Sequence, residues 1–278
     1  MHFPLPQEMQ SALRALEPIL PEAVVIGGWA HRLHAEHPLA EPSFEPLTTT
    51  DCDVALPLTL AARAGDSIDE RLQKAGFECQ ISGTELGEHR RYVLRSNQEF
   101  YVQFVTSRQG DPRRQGATEE LVGVLAEPLR DINLALRDPW TCDLALGHHK
   151  NLAVRVVNPV AFLVGKLLVS NQPSRESNRA KDLVYVADTL RLFERCLDNL
   201  QEMAAHVLEN LSTNQARRLR ASISSHLEGD ASDVLHEAAL ICASTGGGRP
   251  QDVAGLRSLL RHGLWMVLGE AWISLAER

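Results

Sequence analysis

Asp51 and Asp53 stand one residue apart in Thr48-Thr49-Thr50-Asp51-Cys52-Asp53-Val54-Ala55-Leu56. The Thr and Val content predicts a strand. Side chains alternate along a strand, so both carboxylates point to one face and Cys52 to the other, where an apolar thiol suits a core. Like charges that close cost free energy unless something positive sits between them. Two carboxylates so placed can share one divalent cation or bridge two, and a pair of ions about 3.5–4 Å apart serves in-line phosphoryl displacement. Magnesium takes one or two carboxylates and leaves its other positions to phosphates and water, so an incomplete ligand set on a strand end is what such chemistry needs. Taken alone, the same pattern is also what a strand edge or a capped turn presents.

The glycine pair Gly27-Gly28 closes the apolar run Ala23-Val24-Val25-Ile26 and opens Trp29-Ala30-His31-Arg32-Leu33-His34. Glycine lets a backbone approach a phosphate, and a helix N-terminus offers free N–H groups to it. Apolar strand, glycine pair, helix, loop and Thr-rich strand with two aspartates form a joint pattern far more specific than any one of its parts. Lys166 and Lys181 lie in apolar helical stretches, where an ammonium must reach water or an anion. His31 and His34 read as residues of an amphipathic helix, and no metal-ligand spacing joins His148 and His149 to another His or Cys.

These residues need positioning elements. Residues 7–19 carry apolar side chains at helical spacing, Pro21 ends that helix, and Pro38, Pro42 and Pro46 make 38–47 a loop. Residues 58–75 read as a helix. FECQIS, HRRYVLRS and EFYVQFVT read as strands, the last two joined by a hairpin turn at SNQE. The Gly/Pro/Arg stretch SRQGDPRRQGATEE at 107–120 reads as a loop, a short helix is expected over 118–127, and LAVRVVNP is a further strand. From 160 onward the pattern is helical. Strands followed by a run of helices give an α+β organisation: a mixed-sheet domain over 1–157 and a helical domain over 158–278.

The length of 278 residues allows one large domain or two modest ones. A net charge of −8 argues against a nucleic-acid coat, though the arginine clusters Arg90, Arg91, Arg95 and Arg108, Arg113, Arg114 leave room for a local basic site beside the plainer reading of a solvated loop or strand edge. The five cysteines are scattered without a C-x-x-C pair, which fits a reducing cytoplasm. The N-terminus has no signal-peptide pattern and no segment is long and apolar enough for a membrane.

Ile26-Gly27-Gly28-Trp29-Ala30 with Thr49-Thr50-Asp51-Cys52-Asp53-Val54 resembles the DNA polymerase β-type nucleotidyltransferase superfamily, and within it the bacterial branch of AbiEii-like toxins and related nucleotidyltransferases. Tyr101-Val102-Gln103-Phe104-Val105-Thr106, Pro159 with Lys166, and Arg179-Ala180-Lys181-Asp182 extend the likeness over roughly residues 20 to 192. The resemblance implies that Asp51 and Asp53 hold Mg2+ or Mn2+, and that Gly27, Gly28, Thr50, Lys166 and Lys181 contact an NTP. It implies transfer of a nucleoside monophosphate to a hydroxyl on an RNA 3′ end, a protein or a small molecule. Two alternatives stand beside it: a catalytically weakened nucleotide-binding module, and a toxin acting on tRNA with an antitoxin as partner. Gln103 stands where the family has its third carboxylate, and a carboxamide supplies no negative charge. Leu47 stands where an arginine is common. Glu99 shares the face of Gln103 but lies about 13 Å away along a regular strand.

Overall fold

A computed structural model describes residues 5–60, 67–84, 87–108, 119–145, 151–170, 177–227 and 233–273. The chain divides into two compact units. The sheet unit comprises His2–Leu33 and Thr48–Asn158; the helical unit comprises His34–Leu47 and Pro159–Arg278.

The sheet unit runs α1 (Gln7–Leu16), β1 (Val24–Ile26), α2 (Gly27–His34, its last residue counted with the helical unit), β2 (Asp51–Leu56), α3 (Ile68–Lys74), β3 (Phe77–Thr84), β4 (Gly87–Leu94), β5 (Asn97–Ser107), β6 (Glu119–Leu121), β7 (Val124–Leu129), α4 (Ile132–Leu136), β8 (Trp140–Leu144) and β9 (Leu152–Val156). The sheet is mixed, in the order β3-β4-β5-β2-β1-β9-β8, with β7 alongside β5 and β6 beyond it. β2 is central: it runs antiparallel to β1 and parallel to β5. Alternation separates the faces of these strands. Cys52, Val54, Phe100, Val102 and Phe104 are buried, while Asp51, Asp53, Tyr101 and Gln103 are half-buried. On the buried side Phe100 meets Trp29 and Phe77 edge-on or tilted, with centroids 5.9 and 6.2 Å away. Ser67 caps α3 by accepting from the amide of Glu70 at 3.1 Å, and Arg71 ties α3 to α1 by donating to the carbonyl of Ala15 at 2.8 Å.

In the helical unit α5 (Pro159–Ser170) is apolar on nearly every side, the pattern of a buried helix, and α6 (Arg179–Leu192) is buried along most of its length although Asp182, Asp188 and Thr189 are among its buried residues. The further helices are α7 (Leu197–Glu209), α8 (Thr213–Leu227), α9 (Asp233–Thr245), α10 (Val253–Leu268) and α11 (Glu270–Ile273). Gly263 lets α10 approach α6 closely, for a Cβ there would stand 2.6 Å from Leu190 Cδ1. The architecture is α+β, a mixed sheet with flanking helices followed by a helical region, as the residue pattern predicts.

Three local expectations change. The helix expected over 118–127 is a β-hairpin: Val122 and Gly123 turn the chain at φ 47° and 83°, and Val124 and Ala126 then alternate inward. Gly123 is required there, since a Cβ would meet Ser67 Cβ at 2.6 Å. The helix expected over 58–75 is described only as Ile68–Lys74. The hairpin between β4 and β5 turns at Arg95-Ser96 rather than across SNQE, and a register shift at Val93/Leu94 accompanies it.

Candidate active site

The site sits where β1 ends and β2 begins. Ile26, the last residue of β1, pairs with Asp53. The chain then enters α2 through Gly27 at φ 67°, a left-handed conformation that glycine adopts at low cost. The Cα of Gly27 lies against the Asp53 carboxylate. A Cβ there would collide with Asp53 Oδ2 and stand 3.2 Å from its Cγ. Gly28 follows as the second residue of α2.

On the other side of β2, Asp51 pairs with Tyr101 and Asp53 with Gln103. Parallel partners in register point to the same face, so Asp51, Asp53, Tyr101 and Gln103 form one half-buried patch. The Gln103 carboxamide donates through Nε2 to Asp53 Oδ1. Thr50, exposed, accepts the Tyr101 amide at 3.3 Å through its carbonyl, and the Thr49 hydroxyl donates to the Asp51 carbonyl at 3.2 Å.

The field of the two carboxylates registers on their neighbours. Burial first, then the charges of Asp53 and Asp51, push the Cys52 thiol far up, so it stays neutral. Burial raises the Tyr101 phenol as well; Asp51 adds to the rise, Arg91 opposes it and Asp53 adds a little more. The Arg91 guanidinium lies over the Tyr101 ring, 4.9 Å from its centroid. The sequence pattern assigned neither Tyr101 nor Arg91 a role at the carboxylates, though it placed Tyr101 on the face of Gln103 and Arg91 in an arginine cluster. Arg91 belongs to a cluster readable as a solvated edge, and its place follows only from the pairing of Val93 with Tyr101.

The other candidates lie in the helical unit. Lys166 forms an ion pair with Asp182 at 3.1 Å, their side chains 15% and 1% exposed. Its ammonium also sits 4.5 Å from the Tyr185 ring centroid and 5.5 Å from that of Phe162. Asp182 thus partners a residue of the preceding helix. Lys181 has its ammonium 5.9 Å from the same Tyr185 ring. His148, His149, Arg113 and Arg114 lie outside the described residues.

Among the described residues no group of three or more His, Cys, Asp or Glu is placed to hold a metal ion. Asp51 and Asp53 are hard oxygen donors on one face, and two carboxylates are what Mg2+ takes when a nucleotide's phosphates supply further ligands. The donor set therefore fits one nucleotide-bound divalent cation. Among the described residues it includes no third carboxylate; Gln103, paired with Asp53, directs an N–H at it.

A profile of the Nucleotidyltransferase family matches residues 7–209, most of the chain, and the chain belongs to that family. Six chains of solved structures match. One is the crystal structure of an antigenic nucleotidyltransferase-like protein from Paracoccidioides brasiliensis, 16% identical, with a TM-score of 0.36 over 79% of this chain and 95% of that one. Comparison with curated proteins gives no match.

Proposed function

We propose that the protein transfers a nucleoside monophosphate from an NTP to a hydroxyl acceptor, with pyrophosphate leaving. The observation that carries this reading is the apposition of Gly27, Asp53 and Asp51. Two carboxylates share one face of β2, and the backbone beside them leaves no room for a side chain. Asp51 and Asp53 would hold Mg2+ or Mn2+, which when bound would neutralise charge on the triphosphate. Gly27, Gly28 and Thr50 border that face, where backbone can approach phosphate. Arg91, stacked on Tyr101, adds a planar cation suited to an anionic substrate group.

The assignment of Lys166 and Lys181 to the nucleotide rests on the sequence motifs, as do the AbiEii-like placement, the antitoxin partner and the choice among a tRNA or other RNA 3′ end, a protein and a small molecule as acceptor. All five cysteines are free thiols, which suits a cytoplasmic setting. No helix among the described residues is long and apolar enough to cross a membrane.

One observation favours a second reading, a nucleotide-binding module with weakened catalysis. Gln103 donates to Asp53 in place of a third acid. Incubation with Mg2+ and each labelled NTP separates the two. Pyrophosphate release with label on RNA or protein supports transfer; metal-dependent binding without release supports the second reading.

A further inference from the structure

Gly27 and the pair Tyr101 and Arg91 flank the carboxylates from opposite sides, and all of these residues belong to the sheet unit. Ile26 of β1 pairs with Asp53 of β2, and Asp53 pairs with Gln103 of β5. Gly27 follows Ile26, so the glycine pair borders β2 on its β1 flank. Tyr101 lies on the other flank, one strand away and in register with Asp51. β4 comes next: Val93 pairs with Tyr101 and Tyr92 with Val102, and Arg91 is the next residue along. Neighbouring strands lie about 4.8 Å apart, so β5 and β4 stand roughly 5 and 10 Å from β2.

Tyr101 and Arg91 make one surface. The guanidinium lies over the phenol ring, 4.9 Å from its centroid, which brings it to the face that carries Asp51. Arg91 is exposed and Tyr101 half-buried, whereas Phe100 and Val102 on the opposite face of β5 are buried. The surface is therefore open to a ligand and backed by a packed strand. Its chemistry is that of a planar cation on an aromatic ring. Guanidinium binds phosphate through paired donors, and both groups stack on flat bases. An aliphatic or sugar hydroxyl without a base or a phosphate beside it offers this surface nothing to hold.

In-line transfer assigns the surface to one side of the reaction. The acceptor oxygen bonds to the α-phosphorus as the bond from that phosphorus to the bridging oxygen of pyrophosphate breaks. Pyrophosphate leaves with the electron pair, and the hydroxyl proton goes to solvent. The attacking and leaving oxygens lie on opposite sides of the phosphorus. With the outer phosphates toward Gly27 and Gly28, the acceptor comes in over β5 and β4. We propose that Arg91 and Tyr101 form the acceptor subsite and that the acceptor is the 3′ end of a single-stranded nucleic acid, its terminal hydroxyl at the carboxylates and its base and phosphate on the Tyr101–Arg91 surface. The proposal rests on the nucleotidyl-transfer reading above and selects among its acceptors.

The test uses the full chain with fluorescein-labelled single-stranded RNA and DNA oligonucleotides of mixed sequence, each with a free 3′ hydroxyl. Anisotropy titrations read their Kd, and separate titrations read Kd for Mg2+–NTP. Arg91→Gln removes the cation and Tyr101→Leu removes the ring. Each is expected to weaken oligonucleotide binding at least about tenfold while Kd for Mg2+–NTP stays within about threefold. Arg91→Gln should also lower the slope of log K against log salt by about 0.7, the share of one phosphate contact on a single strand. Tyr101→Phe keeps the ring and should bind oligonucleotide within about threefold of wild type. Oligonucleotide binding that is absent from wild type, or unchanged in Arg91→Gln and Tyr101→Leu, overturns the subsite. An equal loss of Mg2+–NTP binding overturns it too, by placing the pair on the nucleotide. Label from NTP that reaches a protein or a small molecule and never an oligonucleotide 3′ end overturns the acceptor class and leaves nucleotidyl transfer standing. A wild type that neither binds Mg2+–NTP nor releases pyrophosphate overturns that reading, and the proposal with it.

Discussion

Gln103 on β5 donates its carboxamide N–H to Oδ1 of Asp53 on the neighbouring strand β2. The hydrogen bond occupies one carboxylate oxygen and brings no charge with it. An acid at the same position would add a ligand to the carboxylate pair. Gln103→Glu or Gln103→Asp is expected to raise pyrophosphate release with Mg2+ and NTP by at least about tenfold, within the range a well-placed metal ligand supplies. Substantial wild-type turnover left unchanged or lowered by the substitution would show that another residue does this work.

Gly27→Ala is expected to cost stability and nucleotide binding together. A left-handed φ costs an L side chain roughly 1–2 kcal/mol, and the new methyl would press on the Asp53 carboxylate. Chemical denaturation reads the first effect and titration with Mg2+–NTP the second. A variant as stable as wild type with unaltered binding would remove Gly27 from the site.

The two lysines are expected to behave differently. Lys166→Ala removes one charged partner of the buried Asp182 carboxylate and should destabilise the fold by about 1–3 kcal/mol. Lys181→Ala, which removes an ammonium 5.9 Å from the Tyr185 ring centroid, should leave the apo protein nearly as stable and weaken NTP binding. Thermal unfolding with and without Mg2+–NTP separates the two. Equal destabilisation by both would make Lys181 a structural residue as well.

Acid is expected to weaken the helical unit through His226. Its ring accepts or donates at Ser170 Oγ, 2.9 Å away, and Ser170 in turn meets Ser222 at 3.0 Å. Burial, with Arg179 adding and Asp182 opposing, lowers the imidazole to about 4. Below its ordinary value near 6.5 the unfolded chain binds a proton that the folded chain refuses. Stability is therefore full above about pH 6.5 and falls as pH drops toward about 4, by roughly 3 kcal/mol if the whole shift counts. Denaturant titrations of wild type and His226→Gln across that window should diverge; parallel curves would contradict the assignment.

Much of the carboxylate face was legible because strand alternation is local. Asp51 and Asp53 share a face by parity, and the same parity put Tyr101 with Gln103. What parity does not give is strand order and register. The place of Arg91 beside Tyr101 depends on β4 pairing with β5 through an irregularity at Val93/Leu94, which no local pattern reports. The hairpin over 119–129 was hidden because Val122 takes a positive φ that β-branched residues rarely adopt. The partner of Lys166 lies on the next helix, sixteen residues on, and Arg249 reaches Glu45 across 204 positions. Long-range polar pairs of this kind leave no periodic trace in a sequence.

The central claim is that Asp51 and Asp53 hold the nucleotide's metal. Its most direct test is thermal unfolding of wild type and the Asp51→Asn/Asp53→Asn double variant, each with NTP alone and with NTP plus Mg2+. Ligand at a hundredfold excess over Kd stabilises by about 2.7 kcal/mol. The account predicts a Mg2+-dependent rise in Tm for wild type that is absent from the double variant. An equal Mg2+-dependent rise in both would contradict it.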